Sequence, residues 1–92
     1  MDKLKAAFLG RKIRRDMFYE DIVISETFII REVGIYGTET VSFSSGSDRG
    51  FIFCQGDNIG NMLLALLNGD TVTRSETPEK YNYRETLTLL PS

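Results

Sequence analysis

The sequence predicts a single α+β domain spanning residues 1–92: a small, mainly antiparallel sheet of four to five strands, an N-terminal helix, and a second helix after the central strand. Three observations carry this expectation. Ninety-two residues suffice for one modest core, because a chain this short buries roughly 60 to 65% of its unfolded surface. Residues 50–70, GFIFCQGDNIGNMLLALLNGD, set an apolar run at 51–54 directly before Ile59, Met62, Leu63, Leu66 and Leu67 at helical spacing. Two stretches, 38–44 and 81–89, alternate with the period of two that a half-buried strand needs.

Residues 2–15 read as the first helix, with Leu4, Ala7 and Phe8 on one face, Leu9 and Ile13 extending the stripe, and cations crowding the last turn. Gly10 interrupts this pattern at about 1 kcal/mol relative to alanine, so the helix could bend or end there. Residues 18–33 are rich in β-branched and aromatic side chains. They fit one long strand or two short ones meeting at 25–27. Gly34-Ile35-Tyr36-Gly37 reads as a connection, since both glycines can take positive φ. In the next strand Val41 and Phe43 face one way and Thr40, Ser42 and Ser44 the other. Residues 44–50 form an exposed hairpin loop.

The run Phe51-Ile52-Phe53-Cys54 suits a strand covered on both faces. Asp57 or Asn58 can cap the helix that follows, and Asn68-Gly69 supplies its left-handed stop. Residues 71–75 read as a short strand and 77–80, with Pro78, as a turn. In 81–89, Tyr81, Tyr83, Leu87 and Leu89 point to one face and Asn82, Arg84, Thr86 and Thr88 to the other. A terminal antiparallel hairpin follows.

Composition narrows the function classes. The apolar share of 41% and charged share of 26% are those of an ordinary globular domain. No apolar run is long enough to span a bilayer and no signal peptide is visible, so the cytoplasm is the expected compartment. A single cysteine excludes an internal disulfide, and the absence of histidine removes the commonest metal ligand and general base. We expect no enzyme, no metal and no cofactor. The net charge of −2 divides unevenly: residues 1–15 hold six basic groups and one acidic, a +5 head, whereas 16–92 hold five basic and twelve acidic, a −7 body.

Two candidate surfaces follow from that division. Acidic groups on strand ends and loops can imitate a phosphate backbone and occupy a cationic groove, and tyrosine is a good interface anchor. Glu32, Tyr36, Glu39 and Asp48 are the partner-binding candidates, Tyr36 because glycines flank it. The alternative is nucleic-acid binding by the helix end, where Arg11, Lys12, Arg14 and Arg15 could neutralise phosphates. The loop Gly56-Asp57-Asn58-Ile59-Gly60 sits where amides cradle a phosphate. It has neither the third glycine of a dinucleotide fingerprint nor the lysine of a P-loop, and it reads as a helix start. Cys54 reads as a small buried hydrophobe. An exposed edge strand could also pair two copies into a homodimer.

The helix, three strands, helix order over residues 2–69 resembles a double-stranded-RNA-binding domain. That family carries a lysine cluster at the start of its second helix, where this sequence has Asp57-Asn58-Ile59-Gly60-Asn61. In size, charge and layout, with short strands feeding a helix as in RGFIFCQGDNIGNMLLALLNGD, the chain is also similar to small phage-encoded anti-CRISPR proteins. That resemblance implies a non-enzymatic inhibitor, acting in the host cytoplasm, that binds a nuclease or nucleoprotein complex and blocks nucleic-acid binding or assembly.

Overall fold

A computed structural model describes residues 2–46, 50–74 and 83–91. The chain is α+β, as expected, and its described residues form two helices and seven strands in two antiparallel sheets. In order these are α1 (Asp2–Phe8), β1 (Lys12–Tyr19), β2 (Ile22–Ile29), β3 (Glu32–Tyr36), β4 (Thr40–Ser44), β5 (Phe51–Gln55), α2 (Ile59–Leu67), β6 (Val72–Arg74) and β7 (Tyr83–Leu89). The four-stranded sheet runs β2-β1-β7-β6 and the three-stranded sheet β3-β4-β5. Both inward faces and both helices close on one core. Phe8, Ile13, Ile30, Val41, Phe43, Ile52, Cys54, Ile59, Leu63, Leu66, Leu87 and Leu89 are all buried there, and the Phe8 and Phe43 rings meet at 5.1 Å.

The first helix is shorter than its spacing predicts. Gly10 takes φ +82°, a left-handed conformation that stops the helix, and its N–H donates to the Ile30 carbonyl at 2.8 Å. Residues 12–15 therefore lie on β1, where Ile13 points inward and Lys12 and Arg14 outward. The strand-rich region also divides elsewhere than at 25–27, which is the middle of β2. It reverses at Glu20-Asp21, and at Ile30-Arg31 it passes from one sheet to the other, Ile30 N–H donating to the Arg11 carbonyl and Arg31 N–H to that of Ser44. Glu20 occupies positive φ (40°) at the first turn position, where a II′ hairpin demands it.

Gly34 belongs to β3 rather than to a connection, and the turn is made by Gly37 at φ +66°. The strand β5 is covered on one face only. Ile52 and Cys54 point into the core while Phe51 and Phe53 are exposed, because among the described residues no second layer covers the outward face of the three-stranded sheet. Helix α2 begins at Asn58, whose side chain makes no capping bond. It ends in a Schellman motif: Gly69 at φ +88° donates to the Leu66 carbonyl at 3.1 Å and Asp70 to the Ala65 carbonyl at 3.0 Å.

β6 and β7 form the expected antiparallel pair. The turn expected at 77–80 and the Tyr81 position lie outside the described residues. Leu87 and Leu89 face inward as predicted, and Glu85, two residues earlier on that face, is buried with them. Among the described residues, no helix is long and apolar enough to cross a membrane.

Candidate functional site

The outward face of the three-stranded sheet is where predicted site residues and exposed aromatic rings meet. The register sets three rows across it: Glu32-Ser44-Phe51, Gly34-Ser42-Phe53 and Tyr36-Thr40-Gln55. Its rings stand clear of the body, Tyr36 being 64% exposed, Phe51 55% and Phe53 48%. Serine and threonine floor the middle strand, and Glu32 is the one charge among the nine positions.

Gly34 is what seats Tyr36. A Cβ at this glycine would lie 2.6 Å from Ser42 Oγ and 2.8 Å from the Tyr36 hydroxyl, so the tyrosine ring lies back over the bare backbone toward β4. Two edge phenylalanines and this phenol make an amphipathic aromatic surface of the kind enriched at interface centres. Of the predicted partner-binding residues, Glu32 and Tyr36 share this face. Glu39 is exposed in the β3–β4 turn at its end, where its carbonyl accepts from Gly56 N–H at 2.9 Å. Asp48 lies outside the described residues. Sequence reasoning missed Phe51 and Phe53; the signal was the alternation hidden inside an unbroken apolar run.

The basic cluster is dispersed rather than displayed. Arg11 donates through Nη2 to the Leu90 carbonyl at 2.8 Å, tying β1 to the end of β7. Arg15 turns inward to Glu26 and lies 3.9 Å from Glu85. Arg14 bonds Asp16 at 3.0 Å through Nε on the outward face, where Lys12 is also exposed. Two of the four predicted phosphate-binding cations thus share a surface, and they lie on a strand, not on a basic helix end.

Beside the core, on the inward face of the four-stranded sheet, runs a polar rung. Glu85 accepts from Arg74 Nη1 at 2.8 Å while Arg15 approaches its other oxygen. The same Arg74 Nη1 lies 3.2 Å from Cys54 Sγ, joining the two sheets. Cys54 is buried, as its apolar setting predicts. On the outward face Asp16 accepts from Ser25 Oγ at 2.5 Å, from Arg14, and from Thr86 Oγ1 at 3.5 Å. The Ser25 bond, helped by Arg14 and Thr86 and opposed by partial burial, holds its carboxyl below the ordinary value of 3.8.

A shallow cleft of about 370 Å³ opens at the start of α2, between Leu4, Ile35, Thr38 and residues 57–61, which lead into the first turn of that helix. Asp57 is the charge on its wall, which suits no anion. Among the described residues no three of Cys, Asp and Glu gather in a metal-binding arrangement. Compared with known proteins, the chain matches no family model, no curated protein and no solved structure.

Proposed function

We propose that the chain is a non-enzymatic binding protein that inhibits its target by covering a basic surface with the outward face of the three-stranded sheet. The observation that carries this reading is the concentration of three exposed aromatic rings on a face whose one charge is Glu32. Aromatic side chains supply desolvated contact area at low entropic cost, and the acidic surroundings steer a cationic partner and fix its register. A nuclease or nucleoprotein complex, the target class implied by the anti-CRISPR resemblance, presents such a surface in its nucleic-acid groove.

The test is capture from host lysate by the tagged protein, with and without nuclease treatment, eluted in steps of salt. Two variants run beside it: Tyr36→Ala with Phe53→Ala, and Glu32→Lys with Glu39→Lys and Asp48→Lys. The reading expects a basic protein complex that survives nuclease treatment, is lost with the aromatic pair, and elutes at lower salt from the charge variant. Undiminished capture by both variants refutes it. If retention requires nucleic acid, the outward-facing Lys12 and Arg14 are the contact surface and a nucleic-acid accessory role replaces the inhibitor.

A further inference from the structure

We propose that the free edge of β2 pairs antiparallel with β2 of a second copy, joining two four-stranded sheets into one of eight. This surface uses none of the residues of the aromatic face. β2 is an edge strand of eight residues, against three for β6 at the opposite edge and five each for β3 and β5. Edge strands are ordinarily guarded by lysine, proline, a bulge or short length. β2, IVISETFI, has no lysine and no proline, and it pairs with β1 without a bulge from Ile22 to Ile29. Ile22 and Val23 are about 60% exposed, at 61% and 59%, and Ile24 is 47% exposed. Apolar side chains therefore stand out on both faces of an unguarded backbone edge.

Charge selects a second copy as the occupant. The one charge on the strand is Glu26, and Arg15 neutralises it from the neighbouring strand. A charged partner strand finds nothing complementary here, whereas the edge does not repel itself. Geometry then narrows the register. A two-fold axis normal to the sheet makes opposite residues share a face. Centred on Ser25, it aligns residues 22–28 of both copies, with Val23 opposite Thr27 and Ile24 opposite Glu26. Moving the centre to Glu26 would set two carboxylates against each other. In the Ser25 register, Ile22 at the exposed hairpin tip meets Phe28 of the other copy, a ring packed against the core at the hairpin root. The apolar tip left exposed in one copy is thus completed by the body of the other.

Sedimentation velocity of the full chain over a dilution series tests this, together with two variants. The wild type should pass from twice the chain mass to once the chain mass on dilution. Val23→Lys, at an exposed position, should be monomeric at every concentration with an unchanged far-UV spectrum. Ser25→Cys should cross-link to a dimer under mild oxidation, because opposite Cα atoms in antiparallel strands lie about 4.5 to 5.5 Å apart, within disulfide reach. Buried Cys54 does not compete. A wild type that stays monomeric to millimolar concentration overturns the proposal, as does a Val23→Lys dimer or a Ser25→Cys chain that fails to cross-link. If Val23→Lys does not fold, the Ser25→Cys result decides.

Discussion

The same substitution at two glycines should have unequal consequences. Gly50 is buried, and a Cβ there would lie 2.5 Å from Phe28 Cγ, 2.7 Å from Cδ1 and 3.0 Å from Cβ. Carbon atoms rest at about 3.5 to 4.0 Å, so the root of the Phe28 ring must retreat by about 1 Å. The clash falls on the root of the side chain rather than its free end, so relief must shift a ring packed against the core. Such overpacking costs about 1 to 3 kcal/mol, offset by about 0.4 to 1 kcal/mol from the stiffer unfolded chain. The net loss for Gly50→Ala is about 1 to 2 kcal/mol, which in a domain this size lowers Tm by about 5 to 15 °C. At Gly34 the clashing atoms are Ser42 Oγ and the hydroxyl end of Tyr36, free ends on an exposed face. Gly34→Ala should therefore hold stability to within about 1 kcal/mol while displacing the tyrosine ring. Thermal and urea unfolding by circular dichroism would compare the two, and Phe28→Leu added to Gly50→Ala should recover at least about 0.5 kcal/mol as coupling. A Gly50→Ala Tm within about 2 °C of wild type, or equal losses at both glycines, would refute the packing argument.

Three further outcomes follow from individual side chains. Glu85→Ala leaves the Arg15 and Arg74 guanidinium groups facing each other without their shared carboxylate. It should cost about 3 kcal/mol, read from the urea midpoint. Asp16 titrates below its ordinary 3.8, so its contribution is complete above the unfolded value of about 3.9 and is lost as pH falls through the lower folded value. The stability gap between wild type and Asp16→Asn should then stay constant from pH 7 to about 5 and close in more acid solution; a gap that widens instead contradicts the assignment. Glu20 sits at positive φ, a conformation costing a non-glycine residue about 1 to 2 kcal/mol against glycine's entropic cost of about 0.5 to 1. Glu20→Gly should raise Tm by about 3 to 5 °C in a melting scan, and a lower Tm would show that the turn carries no strain.

The parts of the fold legible in the sequence are those whose signal is local. Helix α2 announced itself through five apolar residues at helical spacing and an Asn-Gly stop, and β4 through strict alternation. The first helix overran because Leu9 and Ile13 continue its stripe through Gly10, while the alternation of Ile13, Met17 and Tyr19 that marks β1 is interrupted by the inward-facing Arg15. No local pattern marks that arginine as half-buried, since Glu26 and Glu85 come from other strands. The candidate face was half legible. Glu32 and Tyr36 were nominated from charge and flanking glycines, but an apolar run such as FIFC reads alike whether one or both faces are covered. The stacking of whole layers decides that question, and here the core lies on one side of the three-stranded sheet, which leaves Phe51 and Phe53 exposed on the other.

The pairing of β1 with β7 brings together segments with almost the whole chain between them, Ile13 opposite Leu89 and Tyr19 opposite Tyr83. The β1–β2 hairpin and the β3-β4-β5 meander are local and close quickly, whereas docking β7 must first overcome the entropy of a very large loop. During synthesis the inner edge of β1 therefore waits, unzipped and flanked by apolar side chains, until residues 83–89 have emerged. In that interval it is open to another chain's strand. High expression levels and slow translation of the codons for residues 83–89 should both favour intermolecular capture over correct closure, and a chaperone that shields β1 would find its use in that window.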